Sequence, residues 1–156
     1  MKIKLIAVGQ RMSAWVTAGY QEYAKRLTAD YQLELIEIPT KKRLKHTHIE
    51  QLKQYEADLI KAKLSAHTLN IALDVTGKSL NTAQLAQQFA KWQQQAQDIS
   101  LIIGGPEGLA PSLLAEADLR WSLSALTFPH PLVRIILAEQ IYRAWSINHN
   151  HPYHRA

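Results

Sequence analysis

Three segments carry residue types that chemistry needs, and all lie in the C-terminal third, from Gly104 to Arg155. The first is Ile102–Pro111, IIGGPEGLAP. Gly104 and Gly105 let a ligand approach the backbone amides, and Pro106 stiffens the turn. Glu107 is placed to bond a ribose hydroxyl or to cap the next helix. The run contains neither G-x-G-x-x-G nor G-x-x-x-x-G-K-[ST], so it is not a dinucleotide fingerprint or a P-loop. A tight structural turn would use the same residues. The second segment is Trp121–Arg134, WSLSALTFPHPLVR. Ser122, Ser124 and Thr127 offer hydroxyls, while Leu123, Leu126 and Phe128 can form an apolar slot; such a mix suits an adenine ring. Without a G-x-S-x-G elbow, a serine nucleophile is not expected. The plain alternative is a strand–helix connection.

The third segment is the tail. His154, Tyr153 and Arg155, with His149 and His151 before them, combine base-stacking and phosphate-binding groups. The histidine spacing suits no single helical face and no carboxylate completes the set, so a metal is not expected. A solvated terminus is the plain alternative, although Pro152 and Tyr153 are unusual in one. Outside this third, KKRLKH places four of the 18 lysines and arginines between Lys41 and His46. That loop is either solvated or a phosphate contact.

These residues need elements to hold them. Short apolar runs alternate with helical patterns, which predicts an α/β fold built on a parallel sheet flanked by helices. Lys2–Val8 reads as the first strand, ended by Gly9. Ser13 caps a helix to about Leu27, with Trp15, Val16, Gly19, Tyr20 and Tyr23 at helical spacing. Leu33–Ile38 is a second strand whose Glu34 and Glu37 suit a sheet edge. A helix follows from Ile49 to about Leu64. Asn70–Asp74 is a short third strand, with TGK as the turn after it. Asn81 or Thr82 opens a helix to about Gln95 that aligns Leu85, Phe89 and Trp92. Ile99–Ile103 is uniformly apolar, as in a strand covered on both faces. Pro111–Ala117 is a short helix, and Leu119–Leu123 the last strand.

The final helix, Pro131 to about Ile147, is apolar around most of its circumference. Arg134, Glu139, Arg143 and Ser146 leave only a narrow polar strip. Such a helix must be buried on more than one side. One side on the sheet and another on a second copy predicts a homodimer through this helix.

The 156 residues suit one domain with a core of its own. The absence of cysteine excludes disulfides, thiolate catalysis and Cys-based metal sites, and fits a reducing, cytoplasmic setting. MKIKLIAVGQRM reads as a strand and not as a signal peptide, and no apolar stretch reaches membrane-spanning length. The net charge of +5 favours anionic partners such as nucleic acid.

Taken in order, GGPEG, the Ser-Leu-Ser-Ala-Leu-Thr segment, the Pro-His-Pro-Leu-Val-Arg helix start and the His-Pro-Tyr-His-Arg tail resemble the ribosomal RNA large subunit methyltransferase H family of the SPOUT class. The resemblance covers essentially the whole chain, 1–156, as one domain, with tail residues 149–156 contributing to the active site. It implies a C-terminal trefoil knot, which periodicity does not show and which general chain topology disfavours. It also implies S-adenosyl-L-methionine as methyl donor, held by Leu73, by Gly104 and Gly105, and by Leu123, Ser124, Ala125, Leu126, Thr127 and Phe128. The implied substrate is N3 of a pseudouridine in helix 69 of 23S rRNA in the assembled ribosome. The implied assembly is a homodimer in which one tail completes the other subunit's site. His154 is then the first choice for the base, with Tyr153, Arg155 and Arg134 assisting. The competing expectation is a non-catalytic RNA- or ribosome-binding α/β module. A phosphotransferase is disfavoured by the missing P-loop lysine.

Overall fold

A computed structural model of the chain describes residues 1–155, so Ala156, the last residue of the expected tail, lies outside the described residues. Five strands form one sheet in the order β2-β1-β4-β3-β5: β1 Lys2–Val8, β2 Gln32–Ile38, β3 Leu69–Ser79, β4 Ile99–Ile103 and β5 Leu119–Ser122. Every pairing is parallel, as the alternation of elements predicts. β2 is an edge strand, which explains how Glu34 and Glu37 are tolerated there.

The two-residue period of the strands sorts the core into two layers. Ile3, Leu5 and Ala7 of β1 and Ile99, Leu101 and Ile103 of β4 face one layer, with Leu85, Phe89, Leu137 and Ile141. Ile6 and Val8 face the other, with Ile102, Ala57, Ile60 and Leu113. Helices α1 (Ala14–Ala24), α3 (Thr82–Gln94) and α5 (His130–Asn148) therefore cover the first face, and α2 (Ile49–Lys61) and α4 (Pro111–Glu116) the second. α3 starts at a full capping box. Asn81 accepts from the Gln84 N–H, and Gln84 accepts from the Asn81 N–H.

Several expectations are corrected. β3 does not end at Asp74; it runs to Ser79, with a register break in which Leu73 and Lys78 both pair with Trp121. Residues 74–77 bulge between them. Gly77 makes the return possible, because a Cβ there would stand 2.6 Å from the Trp121 nitrogen. Asp74 Oδ1 accepts from the Thr76 N–H and hydroxyl and shapes the bulge. Trp15 is 59% exposed and not on the buried side of α1, which rests on Val16 and Tyr20. Ser13 stands at the N-cap position of α1, but its side chain makes no cap bond.

The polar strip expected on α5 is not a solvent face, since Arg134 and Ser146 are buried. α1 and α3 flank α5 on either side, so this chain itself covers much of the apolar circumference. Gly19 lets α1 come close, for a Cβ there would meet Ile135 Cδ1 at 2.8 Å. Leu132 and Ile136 stay half-exposed. The tail forms a 3₁₀ turn, Pro152–Arg155, packed on α5.

Candidate active site

In a parallel sheet all C-terminal strand ends share one edge. There, adjacent strands β3 and β4 feed helices on opposite faces, α3 on one and α4 on the other. Loops that leave in opposite directions open a crevice between them. The crevice is a cavity of about 670 Å³, within the range of small-molecule sites. Its walls are the end of β3 at Leu73–Val75, the glycine turn at Gly104–Pro106, the loop after β5, and the start of α5 at His130.

Of the residues expected to hold a cofactor, Leu73, Gly104, Gly105, Leu123, Ser124, Leu126, Thr127 and Phe128 all line this one cavity. Ala125 is exposed on the same loop but is not part of the lining. The glycine turn is closed on itself. Gly108 N–H donates to the Gly105 carbonyl at 3.0 Å, and Gly108 adopts φ +77°. A Cβ on Gly104 would stand 2.8 Å from the Gly108 carbonyl carbon, so only glycine fits. Two serine hydroxyls shape the β5–α5 loop. Ser122 donates to the Ser124 carbonyl at 3.1 Å, and Ser124 Oγ accepts from the Leu126 N–H at 3.0 Å. Leu126 is left 68% exposed at the mouth.

Sequence reasoning gave no role to Asp74 and His130, which among the described residues are the only His, Asp, Glu, Lys or Arg side chains in the wall. Asp74 was detectable as the polar residue closing an apolar strand, and His130 as the residue between two helix-starting prolines. His130 loses proton affinity, first through burial and then through the charge of Arg134 one turn along the helix.

Arg134 lies behind the cavity and not in it. Its side chain is 2% exposed, Nη1 donates to Glu37 at 2.7 Å, and Nη2 donates to the Gly9 and Val8 carbonyls at 2.7 and 3.1 Å. It ties the ends of β1 and β2 to the first turns of α5.

The tail residues lie elsewhere. α5 starts at the cavity and ends at the opposite sheet edge, where Asn148 donates to the Tyr31 hydroxyl at 3.2 Å. The tail then folds back along α5, where Tyr153 donates to Glu139 Oε1 at 2.9 Å. Arg143 donates to the same oxygen at 2.8 Å and lies over the Tyr153 ring at 4.9 Å. Desolvation first, and then the Glu139 carboxylate, push the Tyr153 phenol well above its ordinary range, so it stays protonated. His154 Nδ1 is buried without a partner, while Arg155 is exposed. Glu139 is nine residues beyond His130, so Tyr153 stops about 14 Å along the helix from the cavity. Among the described residues, no tail residue lines the cavity of its own chain. Among the described residues no group of three or more His, Asp or Glu could hold a metal, and no helix is long and apolar enough to cross a membrane.

The family profile described as "Predicted SPOUT methyltransferase" matches residues 1–154. The chain is 53% identical over 155 residues to the Ribosomal RNA large subunit methyltransferase H of Saccharophagus degradans (strain 2-40), covering 99% of this chain and all of that protein. It is 52% identical, with the same coverage, to the protein of that name in Marinomonas sp. (strain MWYL1). A profile across nearly the whole chain, end-to-end relatives and a crevice built from the expected strand ends agree: the chain belongs to the SPOUT methyltransferases, within the ribosomal RNA large subunit methyltransferase H family.

Proposed function

We propose that the protein is an S-adenosyl-L-methionine-dependent rRNA methyltransferase that modifies N3 of a pseudouridine in helix 69 of 23S rRNA. It works in the cytoplasm, as a homodimer, on the assembled ribosome. The observation that carries this reading is the convergence of three chain segments, distant in sequence, on one cavity where backbone leaves no room for a side chain at Gly104. The residues fit the donor: Leu123, Leu126 and Phe128 offer an apolar slot, and the glycine turn offers open backbone.

The bound donor supplies an activated methyl group, so no metal is needed. The protein must align N3 with that methyl group and remove the N3 proton. Among the described residues the cavity wall holds two candidate bases, Asp74, already bonded to Thr76, and His130. The tail supplies the missing groups, but it lies a stretch of helix away from its own cavity. Two α5 helices packed antiparallel bring each tail to the other cavity, and half-exposed Leu132 and Ile136 give them an apolar surface to share. The partner subunit's His154 takes the N3 proton. The partner subunit's Tyr153, fixed as a donor, bonds or stacks on the base, and the partner subunit's Arg155 meets phosphate or the developing imide oxygen charge. Arg134 acts as a positioning residue, because its guanidinium is committed to Glu37 and two carbonyls.

The test is methyl transfer to ribosomes from a strain lacking the gene, with the product mapped by mass spectrometry. A methyl on N3 of the helix 69 pseudouridine is expected. A methyl on another nucleotide overturns the target. No transfer, with no rise in melting temperature on adding S-adenosyl-L-methionine, supports the non-catalytic module instead.

A further inference from the structure

The segment after β2 is anchored as no solvated loop needs to be. It runs exposed from Pro39 to His46 and carries Lys41, Lys42, Arg43 and Lys45. β2 is parallel to its neighbours, so this segment leaves the sheet at the edge that holds the cavity. At its base the Thr40 hydroxyl donates to Glu56, a carboxylate only 5% exposed. Glu56 also backs the glycine turn, where Oε2 lies 3.5 Å from the place a Cβ on Gly105 would occupy. Further out, Arg43 bridges to Glu107 of that same turn. Leu44 N–H donates to Thr47 Oγ1 at 2.7 Å and closes the tip, and Lys41 Nζ rests 4.2 Å from the centre of the Tyr55 ring. Two lysines remain: among the described residues, Lys42 and Lys45 have no carboxylate within ion-pair distance.

We propose that residues 40–47 form an arm that binds the phosphate backbone of the substrate RNA through Lys42 and Lys45, and that Glu56 and Glu107 hold this arm in register with the glycine turn. The proposal rests on the reading of the substrate as RNA. Lysines act as compact point charges on flexible stems and donate to phosphate oxygens from varied directions, which suits an irregular RNA surface. A carboxylate is costly to bury unless hydrogen bonds or an opposite charge compensate it, and Glu56 takes the Thr40 hydroxyl where arm and glycine turn meet. Arg43, the one fork-shaped cation of the arm, faces a carboxylate of the turn and so serves register and not RNA contact. RNA engagement and donor binding are thereby coupled through two acidic side chains.

The experiment is equilibrium binding of wild type, Lys42→Ala/Lys45→Ala and Glu107→Gln to purified 70S ribosomes lacking the modification, across a series of KCl concentrations. Each lost phosphate contact flattens the slope of log K against log salt by about 0.7–0.9, so the double variant is expected to be shallower by about 1.5. Its affinity for S-adenosyl-L-methionine is expected to match wild type. Glu107→Gln keeps both lysines but is expected to lower the single-turnover methylation rate at saturating ribosome. A double variant with the wild-type slope overturns the arm, as does wild type that binds no ribosome at any salt. Glu107→Gln with the wild-type rate overturns its part in the register. If slopes change as expected but no rRNA is methylated, the catalytic reading fails and the arm stands.

Discussion

Arg134 Nη1 lies 2.7 Å from Glu37 Oε2, joining residues 97 positions apart at the sheet edge that bears the cavity. The pair is asymmetric, with Arg134 2% and Glu37 36% exposed in their side chains. Removing the arginine leaves Glu37 and the Val8 and Gly9 carbonyls without their donor. Glu37 keeps part of its hydration, so the cost is chiefly that of polar groups left without a donor, about 1–3 kcal/mol. In a chain of this size that lowers the melting temperature by roughly 2–12 °C. Arg134→Ala measured by thermal unfolding is expected in that range. Arg134→Lys recovers only part, since an ammonium cannot reach Glu37 and two carbonyls in the same fork. A variant that unfolds with wild type would show that the bridge holds nothing.

The glycine turn gives the sharpest test of the cavity. Gly104→Ala drives a Cβ to 2.8 Å from backbone that has nowhere to go. Overpacking of this kind costs about 1–3 kcal/mol, and if the strain falls on the bound state, affinity drops about 5- to 150-fold. Calorimetric titration with S-adenosyl-L-methionine is expected to show that loss. Gly108→Ala has open space around it and carries only the strain of its positive φ, so its effect is expected to be smaller.

His130 makes stability depend on pH in a defined direction. Its ordinary value is 6.5, and burial, then Arg134, hold it lower in the folded chain. The unfolded chain therefore binds this proton first as pH falls. The contribution is fully present above the unfolded value and is lost from about pH 6.5 downward until the folded value is passed. His130→Asn removes this slope. Comparing melting temperatures at pH 7.5 and 5.5, the drop is expected to be smaller in the variant; equal drops would mean that His130 is not held neutral.

The two halves of the site can be separated by mixing. Gly104→Ala damages the cavity and His154→Ala the tail. If each tail serves the other subunit, an equal mixture forms half mixed dimers, each with one intact site, so about one quarter of wild-type activity returns. With S-adenosyl-L-methionine held well below the weakened Kd of Gly104→Ala, each variant alone is expected to be far less active than wild type. A mixture no more active than its parts would place the tail in its own chain's site or outside catalysis.

Much of this was legible in the residues. The five helices and every strand but β3 fall close to their predicted bounds, because uniformly apolar runs such as Ile99–Ile103 can only be covered strands. The cavity segments were legible because glycines and prolines mark places where side chains cannot go. What escaped depends on neighbours. The bulge at 74–77 follows from Gly77 meeting Trp121, a contact between residues 44 positions apart that no local window contains. Arg134 looked like part of a solvent strip because nothing local announces that Glu37 and two carbonyls await it. Asp74 and His130 were passed over because one closes an ordinary strand and the other opens an ordinary helix.

α5 begins with a residue of the cavity and ends where the tail turns back, and it is one unbroken helix between. It is therefore a ruler. One residue added between Ile141 and Asn148 would advance the tail by about 1.5 Å and swing it by about 100° about the axis. Every tail side chain would survive such a change, and the tail would still be aimed at the wrong place. If the tail completes a site, catalytic competence is written partly as a length and a phase, quantities carried by no single residue.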